Sequence, residues 1–308
     1  MSLQLFLWLI FAVVVIGALI FDLGVLQRRA HMPKTKEALL WTLFWIILAF
    51  VFNGVIYYAE GPQKALEFLT GYLIEKSLSM DNLFVFMVIF TYFAVELAYQ
   101  PKVLRWGIIG AIITRAIFIA VGVTLINLFH WVLYIFGALL IVTALKLLVQ
   151  KETSVHPERN ILLRWFRQII PISANYHGSH FFTKHGTKWV GTPLLVVLVV
   201  IESTDIVFAI DSVPAILGIT TDPFIVYTSN IFAIMGLRAL YFFLAAVMLR
   251  LRYLKYGLAI ILAFIGLKML ACDIVHIPIG ISLGVVGLSL IICVLASVLI
   301  KPVSAHSK

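Results

Sequence analysis

The sequence predicts an all-α polytopic membrane protein with about nine transmembrane helices, forming one transmembrane domain over residues 1–308. Composition and run length carry this expectation. Of 308 residues, 63% are hydrophobic and 12% are charged, against roughly 45–50% and about 25% in soluble domains. The hydrophobic residues arrive in runs of about 20, the length that crosses a hydrocarbon layer roughly 30 Å thick. These runs are apolar all round, as lipid-facing helices should be. Outer-membrane strands would instead be about ten residues of alternating hydrophobicity, which excludes a barrel.

The first run, Leu3–Leu26, follows a terminus with no basic segment and no small-residue cleavage motif. It is too long for a signal-peptide core and reads as a retained helix. Leu39–Tyr58 is the second run. Leu78–Leu97 and Gly107–Phe129 flank a short basic turn, and Trp131–Val149 follows almost at once. After a long connection come Thr192–Leu217, Phe224–Leu249, Tyr256–Ala271 and Ile277–Ile300.

Charge places the loops. With the amino terminus outside, seventeen Lys and Arg fall on the cytoplasmic side and two, Lys64 and Lys76, on the other. That bias is the positive-inside pattern, so the net charge of +9 reflects topology and calls for no nucleic acid. The long connection, residues 150–191, is then a cytoplasmic loop. Its segment Ile161–Ile170 mixes Arg, Trp and aliphatics before Pro171, which suits a short interfacial helix. His177, His180 and His185 read as a solvated part of that loop. Cys272 and Cys293 lack Cys-x-x-Cys spacing and read as plain core residues, offering no thiolate metal site.

The chain also repeats itself. Ser79-Met80-Asp81-Asn82-Leu83-Phe84 matches Ser203-Thr204-Asp205-Ile206-Val207-Phe208, Arg115-Ala116 matches Arg238-Ala239, and Leu145-Lys146 matches Leu267-Lys268. The offsets are 124, 123 and 122 residues, and each match centres on a charge. An odd number of spans separates the copies, so the units 78–149 and 192–271 form an inverted three-helix repeat. Secondary transporters use that plan, with the substrate near the midplane where the repeats meet.

Charges inside a bilayer are costly and face a cavity or a partner. Arg115, Arg238, Lys146 and Lys268 read as ion-pair partners holding helices together. Asp81 and Asp205, flanked by Ser79, Asn82, Ser203 and Thr204, read as symmetry-related carboxylates able to hold a hard divalent cation. Glu202 shares a helix face with Asp205. Asp211 sits about 240° around from Asp205, and a kink at Pro214 would swing it back. Asp22 either contributes to the site or pairs with an arginine. Oxygen donors without membrane thiolates or histidines leave Mn²⁺, Mg²⁺ and Ca²⁺ open.

These motifs, with Glu75 and Glu202-Ser203-Thr204-Asp205-Ile206-Val207-Phe208-Ala209-Ile210-Asp211-Ser212-Val213-Pro214, resemble the TerC family and its Alx-like branch over nearly the whole chain. The resemblance implies a LysE-type exporter of the bacterial inner membrane, associated with tellurite resistance. It also implies Mn²⁺ as the transported ion rather than as a cofactor. The implied metal region is Asp81, Glu202, Asp205 and Asp211, with Glu75 and Asn82 near its mouth. Its expected partners are the ion and the lipid bilayer. An exporter of small organic solutes, or a non-transporting membrane partner in a stress-response or secretion complex, are the alternatives. No nucleophile–base constellation or cofactor motif points to an enzyme.

Overall fold

The computed structural model describes residues 3–24, 35–149, 170–173, 175–185, 188–247, 253–275 and 277–299. Ten helices appear among them. They are α1 (Leu3–Gly24), α2 (Thr35–Glu60), α3 (Pro62–Tyr92), α4 (Gln100–Leu128), α5 (Val132–Val149), α6 (Pro193–Leu217), α7 (Pro223–Ile234), α8 (Leu237–Val247), α9 (Leu254–Leu270) and α10 (Ile279–Leu299). The protein is thus an all-α polytopic membrane protein. Large apolar side chains such as Val13, Ile20, Leu40, Ile47, Val142 and Leu299 lie exposed on its perimeter, where lipid replaces water as their solvent.

Every apolar run contains helix, but the spans count differently from the expected nine. Among the described residues, α1, α2, α4, α5, α6 and α10 are long and apolar enough to cross a membrane, and α7 with α8 makes a seventh if taken as one broken span. Helix α3, at 31 residues, has the length, but Lys64, Glu67, Glu75, Lys76 and Asp81 dilute its apolarity. Helix α9 is only 17 residues long.

Two boundaries also differ. The third helix begins at Pro62, well before Leu78, because the turns ahead of Leu78 bury Thr70, Glu75, Lys76 and Ser77 inside the protein instead of facing lipid. Lys76, expected in an external loop, is therefore inside the protein at 6% exposure. The seventh run is two helices bent by 42° at Met235–Gly236, where Gly236 takes a φ of +79°. Only glycine adopts that conformation without strain. Trp45 of α2 fills the space where a side chain on Gly236 would go.

Helices α3, α4, α6 and α7 form the centre. Helix α3 packs on α6 and α7, α4 packs on α6 and α7, and α5 packs along α9. The α5–α9 crossing is close because it is built on Gly137 and Gly266, each facing the other's backbone carbonyl. Small residues allow that approach in membranes.

The long connection is not wholly irregular. Phe182–His185 (β1) pairs antiparallel with Lys188–Gly191 (β2), a hairpin that the apolar-run reading did not anticipate. The Tyr176 hydroxyl donates to the Phe93 carbonyl at 2.7 Å and Lys102 to the Ser179 carbonyl at 2.5 Å, docking this segment on the α3–α4 turn. The interfacial helix expected at Ile161–Ile170 lies, but for its last residue, outside the described residues.

Candidate functional site

Glu75 and Arg115 form the centre of the polar interior. The Glu75 side chain on α3 is 0% exposed and the Arg115 side chain on α4 is 1% exposed, and the guanidinium donates directly to the carboxylate. Glu75 also accepts from Ser79 at 3.2 Å and from the Asn230 amide of α7 at 3.1 Å. Arg115 donates to Ser212 of α6 at 2.9 Å and stands 3.8 Å from Asp205. Four helices are thereby joined through one ion cluster.

The cluster has spare capacity. Asp205 Oδ2, Asn230 Oδ1 and Arg115 Nε are buried without a hydrogen-bond partner. Two carboxylates share one guanidinium, and buried polar atoms left unpaired cost free energy. Asp205 Oδ2 and Asn230 Oδ1 can each accept a further hydrogen bond, and Arg115 Nε can donate one.

Beside the cluster lies a cleft of about 610 Å³ between α3, α5, α6 and α9. Asp81, Asn82, Thr143, Asp211 and Ser212 supply its oxygens, and Lys146 and Lys255 supply two ammonium groups. Asp211 accepts from Thr143 at 2.9 Å, which fixes the carboxylate on the α5 side. Ser212 lines the cleft and also accepts from Arg115, so it links cleft and ion cluster.

The structure gathers four of the expected acids into two adjacent groups. Asp81, Asn82 and Asp211 line the cleft, whereas Asp205 and Glu75 meet Arg115. Glu75, expected near the mouth, is among the least accessible side chains in the protein. Asp211 lines the cleft on α6, which continues through Pro214 to Leu217, and its carboxylate meets Thr143 of α5.

The remaining expected residues lie around these two groups, with Glu202 near enough to Asp205 for the two carboxylates to interact. Glu202 lies against α4 at Gly110, where only a glycine leaves room for its carboxylate. Ser203 donates to the Val200 carbonyl of its own helix. Arg238 is buried at the start of α8. Lys146 is exposed at the cleft, and Lys268 donates to Ser282 at 3.1 Å in a second cleft of about 760 Å³. Asp22 belongs to α1, but its side chain lies outside the described residues. His177 and His180 belong to no three-ligand group among the described residues, and the side chain of His185 lies outside them.

Two functional groups escaped sequence reading. Lys76 donates to the carbonyls of Ala233 (3.1 Å) and Met235 (3.3 Å), satisfying the helix end exposed by the bend at Gly236. Asn230 ties that broken span to Glu75. A glycine interrupting an apolar run was the available signal for the bend. For Lys76 and Asn230 there was none, since their partners lie over 150 residues away.

The two ends of the bundle are distinct. At one, Lys64 bridges Glu67 (3.2 Å) and Asp222 (2.7 Å) beside the second cleft. The same end carries the α4–α5 and α9–α10 turns, where His130 meets Asp273. Hydrogen bonds from Tyr134 and His130 hold the Asp273 carboxyl below its ordinary range. Cys272, expected in the core, is only partly buried beside it.

Residues 60–305 match the profile described as "Integral membrane protein TerC family". An "Uncharacterized membrane protein" of Myxococcus xanthus is 49% identical over 85% of this chain and 82% of its own length. The Escherichia coli (strain K12) protein "Putative membrane-bound redox modulator Alx" is 48% identical over 85% of this chain and 84% of its own. A Rickettsia felis "Uncharacterized membrane protein" is 44% identical over 85% of this chain and 87% of its own. No solved structure gives a significant match.

Proposed function

The chain belongs to the TerC family of integral membrane proteins, and on that premise we propose that it exports a hard divalent cation, Mn²⁺ first, across a bacterial inner membrane. The observation that carries this reading is the cleft beside the ion cluster, where Asp81 and Asp211 are joined by the neutral oxygens of Asn82, Thr143 and Ser212. Two carboxylates with neutral oxygens suit Mn²⁺, Mg²⁺ or Ca²⁺ and disfavour thiolate-seeking ions. Lys146 and Lys255 at the same cleft act as internal counter-ions while no metal is bound, and they give the ion a reason to leave. Ser212 and Arg115 carry the state of the cleft to Asp205 and Glu75.

The packing pattern supports the inverted repeat. Exchanging α3 with α6, α4 with α7–α8, and α5 with α9 turns the α3–α7 contact into the α6–α4 contact and leaves α5–α9 as its own image. The Gly137–Gly266 crossing would map onto Ala259 and Ala144, both small and buried. One half departs from the symmetry: α4 is continuous, whereas its counterpart breaks at Gly236. Discontinuous spans mark the moving or ion-facing half in transporters. The loop charges support an outside amino terminus and a cytoplasmic hairpin end.

Efflux of radioactive manganese from cells expressing the chain tests the reading. Asp81→Asn and Asp211→Asn each remove one charge while keeping shape, and each should abolish efflux at matched membrane expression. Protection of manganese-stressed cells by both variants, equal to that by the parent, overturns the cleft assignment.

The cleft volume favours one second reading, export of a small cationic organic solute, since about 610 Å³ also suits a small molecule. Amino-acid efflux measured in the same cells separates the two. Thiol–disulfide chemistry draws no support here, because Cys272 and Cys293 are both free and lie on different elements.

A further inference from the structure

The α4–α5 turn and the α9–α10 turn bring three metal-ligating side chains of different chemistry to one point. His130 Nε2 lies 3.2 Å from Asp273 Oδ1, and Cys272 Sγ lies 3.8 Å from that same oxygen. One ligand atom from each residue lies within 4.8 Å of the others. A tetrahedral Zn²⁺ with bonds of about 2.0–2.1 Å to N and O and about 2.3 Å to S sets its ligand atoms roughly 3.3–3.7 Å apart. The observed separations fit that polyhedron with small side-chain adjustments.

We propose that His130, Cys272 and Asp273 form a binding site for a borderline transition-metal dication of the Zn²⁺ class, with a fourth position open to solvent. The nitrogen, sulfur and oxygen donors select against Mn²⁺ and Mg²⁺, which prefer oxygen alone. The Tyr134 hydroxyl donates to Asp273 and orients the carboxylate, as an outer hydrogen bond does in metal centres. The site is open to the aqueous phase, with the His130 side chain 64% and the Asp273 side chain 57% exposed. Its two halves are held in register by the α5–α9 crossing at Gly137 and Gly266 directly beneath the turns. A bound ion therefore clamps the ends of two helices that belong to different halves of the chain. This site is independent of the transport cleft, whose acids it does not share.

Full-length protein purified in detergent and titrated with Co²⁺ tests the proposal. The parent and Cys293→Ser should both show one equivalent of thiolate-to-cobalt charge-transfer absorption, displaced by Zn²⁺. Cys272→Ser should lose that band while keeping the parent's metal-free melting midpoint. His130→Ala should weaken Co²⁺ binding by at least tenfold, and Tyr134→Phe by about 10–100-fold. Asp81→Asn should keep the band whatever becomes of its efflux, so the two sites fail separately. Absence of the band in the parent, or its survival in Cys272→Ser, overturns the site.

Discussion

Arg115 on α4 and Glu75 on α3 form an ion pair whose side chains are 1% and 0% exposed, at the point where α3, α4, α6 and α7 meet. An ion pair so fully removed from solvent adds little net stability, yet breaking it leaves an uncompensated charge. Arg115→Ala should therefore destabilise by about 3–5 kcal/mol and lower membrane expression. Arg115→Ala combined with Glu75→Gln removes both charges and should lose less than the two single losses added together. Unfolding midpoints in detergent for the four corners of this cycle check it, and additive losses would mean that the pair is not coupled.

Lys76 satisfies the helix end exposed at the bend. Lys76→Met keeps the side chain's length but leaves the Ala233 and Met235 carbonyls unpaired in the interior, a loss of about 1–3 kcal/mol. Hydrogen exchange at the α7–α8 junction should accelerate before that of α5 or α10. Uniform acceleration over all helices would assign Lys76 a general packing role instead.

Gly236 has a positive φ and stands where an added Cβ would lie 2.4 Å from Trp45 Cδ1. Gly236→Ala carries both a strained backbone, of order 1–3 kcal/mol, and a clash. Trp45 is itself buried, so Trp45→Ala is costly alone. Measured against that single variant, adding Gly236→Ala should cost only the strain, less than Gly236→Ala costs in the parent. No further loss on adding Gly236→Ala to Trp45→Ala would show that the bend does not depend on glycine.

At the α5–α9 crossing an added Cβ on Gly137 would meet the Gly266 carbonyl oxygen at 2.9 Å, and one on Gly266 would meet the Gly137 carbonyl at 2.7 Å. Backbone cannot yield as a side-chain tip can. Gly137→Val should force the helices apart and cost about 1–3 kcal/mol. Gly17→Val on α1, where nothing stands within 4 Å, is the control and should leave the melting midpoint unchanged.

Lys146 shares the cleft with Asp81 and Asp211. If the cleft binds the exported cation, Lys146→Met removes a competing positive charge. Half-saturation for Mn²⁺ should then fall, while turnover slows through tighter retention. Concentration-dependent efflux from vesicles separates the two parameters. An unchanged half-saturation would place Lys146 outside the electrostatics of binding.

The sequence by itself determined that this chain is a membrane protein built of helices, because lipid imposes a local requirement. Backbone groups without water must bond within their own segment, and about 20 consecutive apolar residues record that requirement one helix at a time. Asp81, Asp205 and Asp211 were legible for the same reason: a carboxylate in an apolar run stands out against its neighbours. Only the tertiary structure decided which acids meet. Glu75 lay outside the apolar window because α3 buries its polar turns against protein, where hydrogen bonds replace apolarity. Its partners Arg115 and Asn230 come from 40 and 155 residues away. The sequence pattern had no access to the placing of Asp81 and Asp211 along one cleft, nor to the meeting of His130 with Cys272 and Asp273. Those depend on how helices cross, and crossing is set by packing at sites such as Gly137 and Gly266, between segments that periodicity reads one at a time.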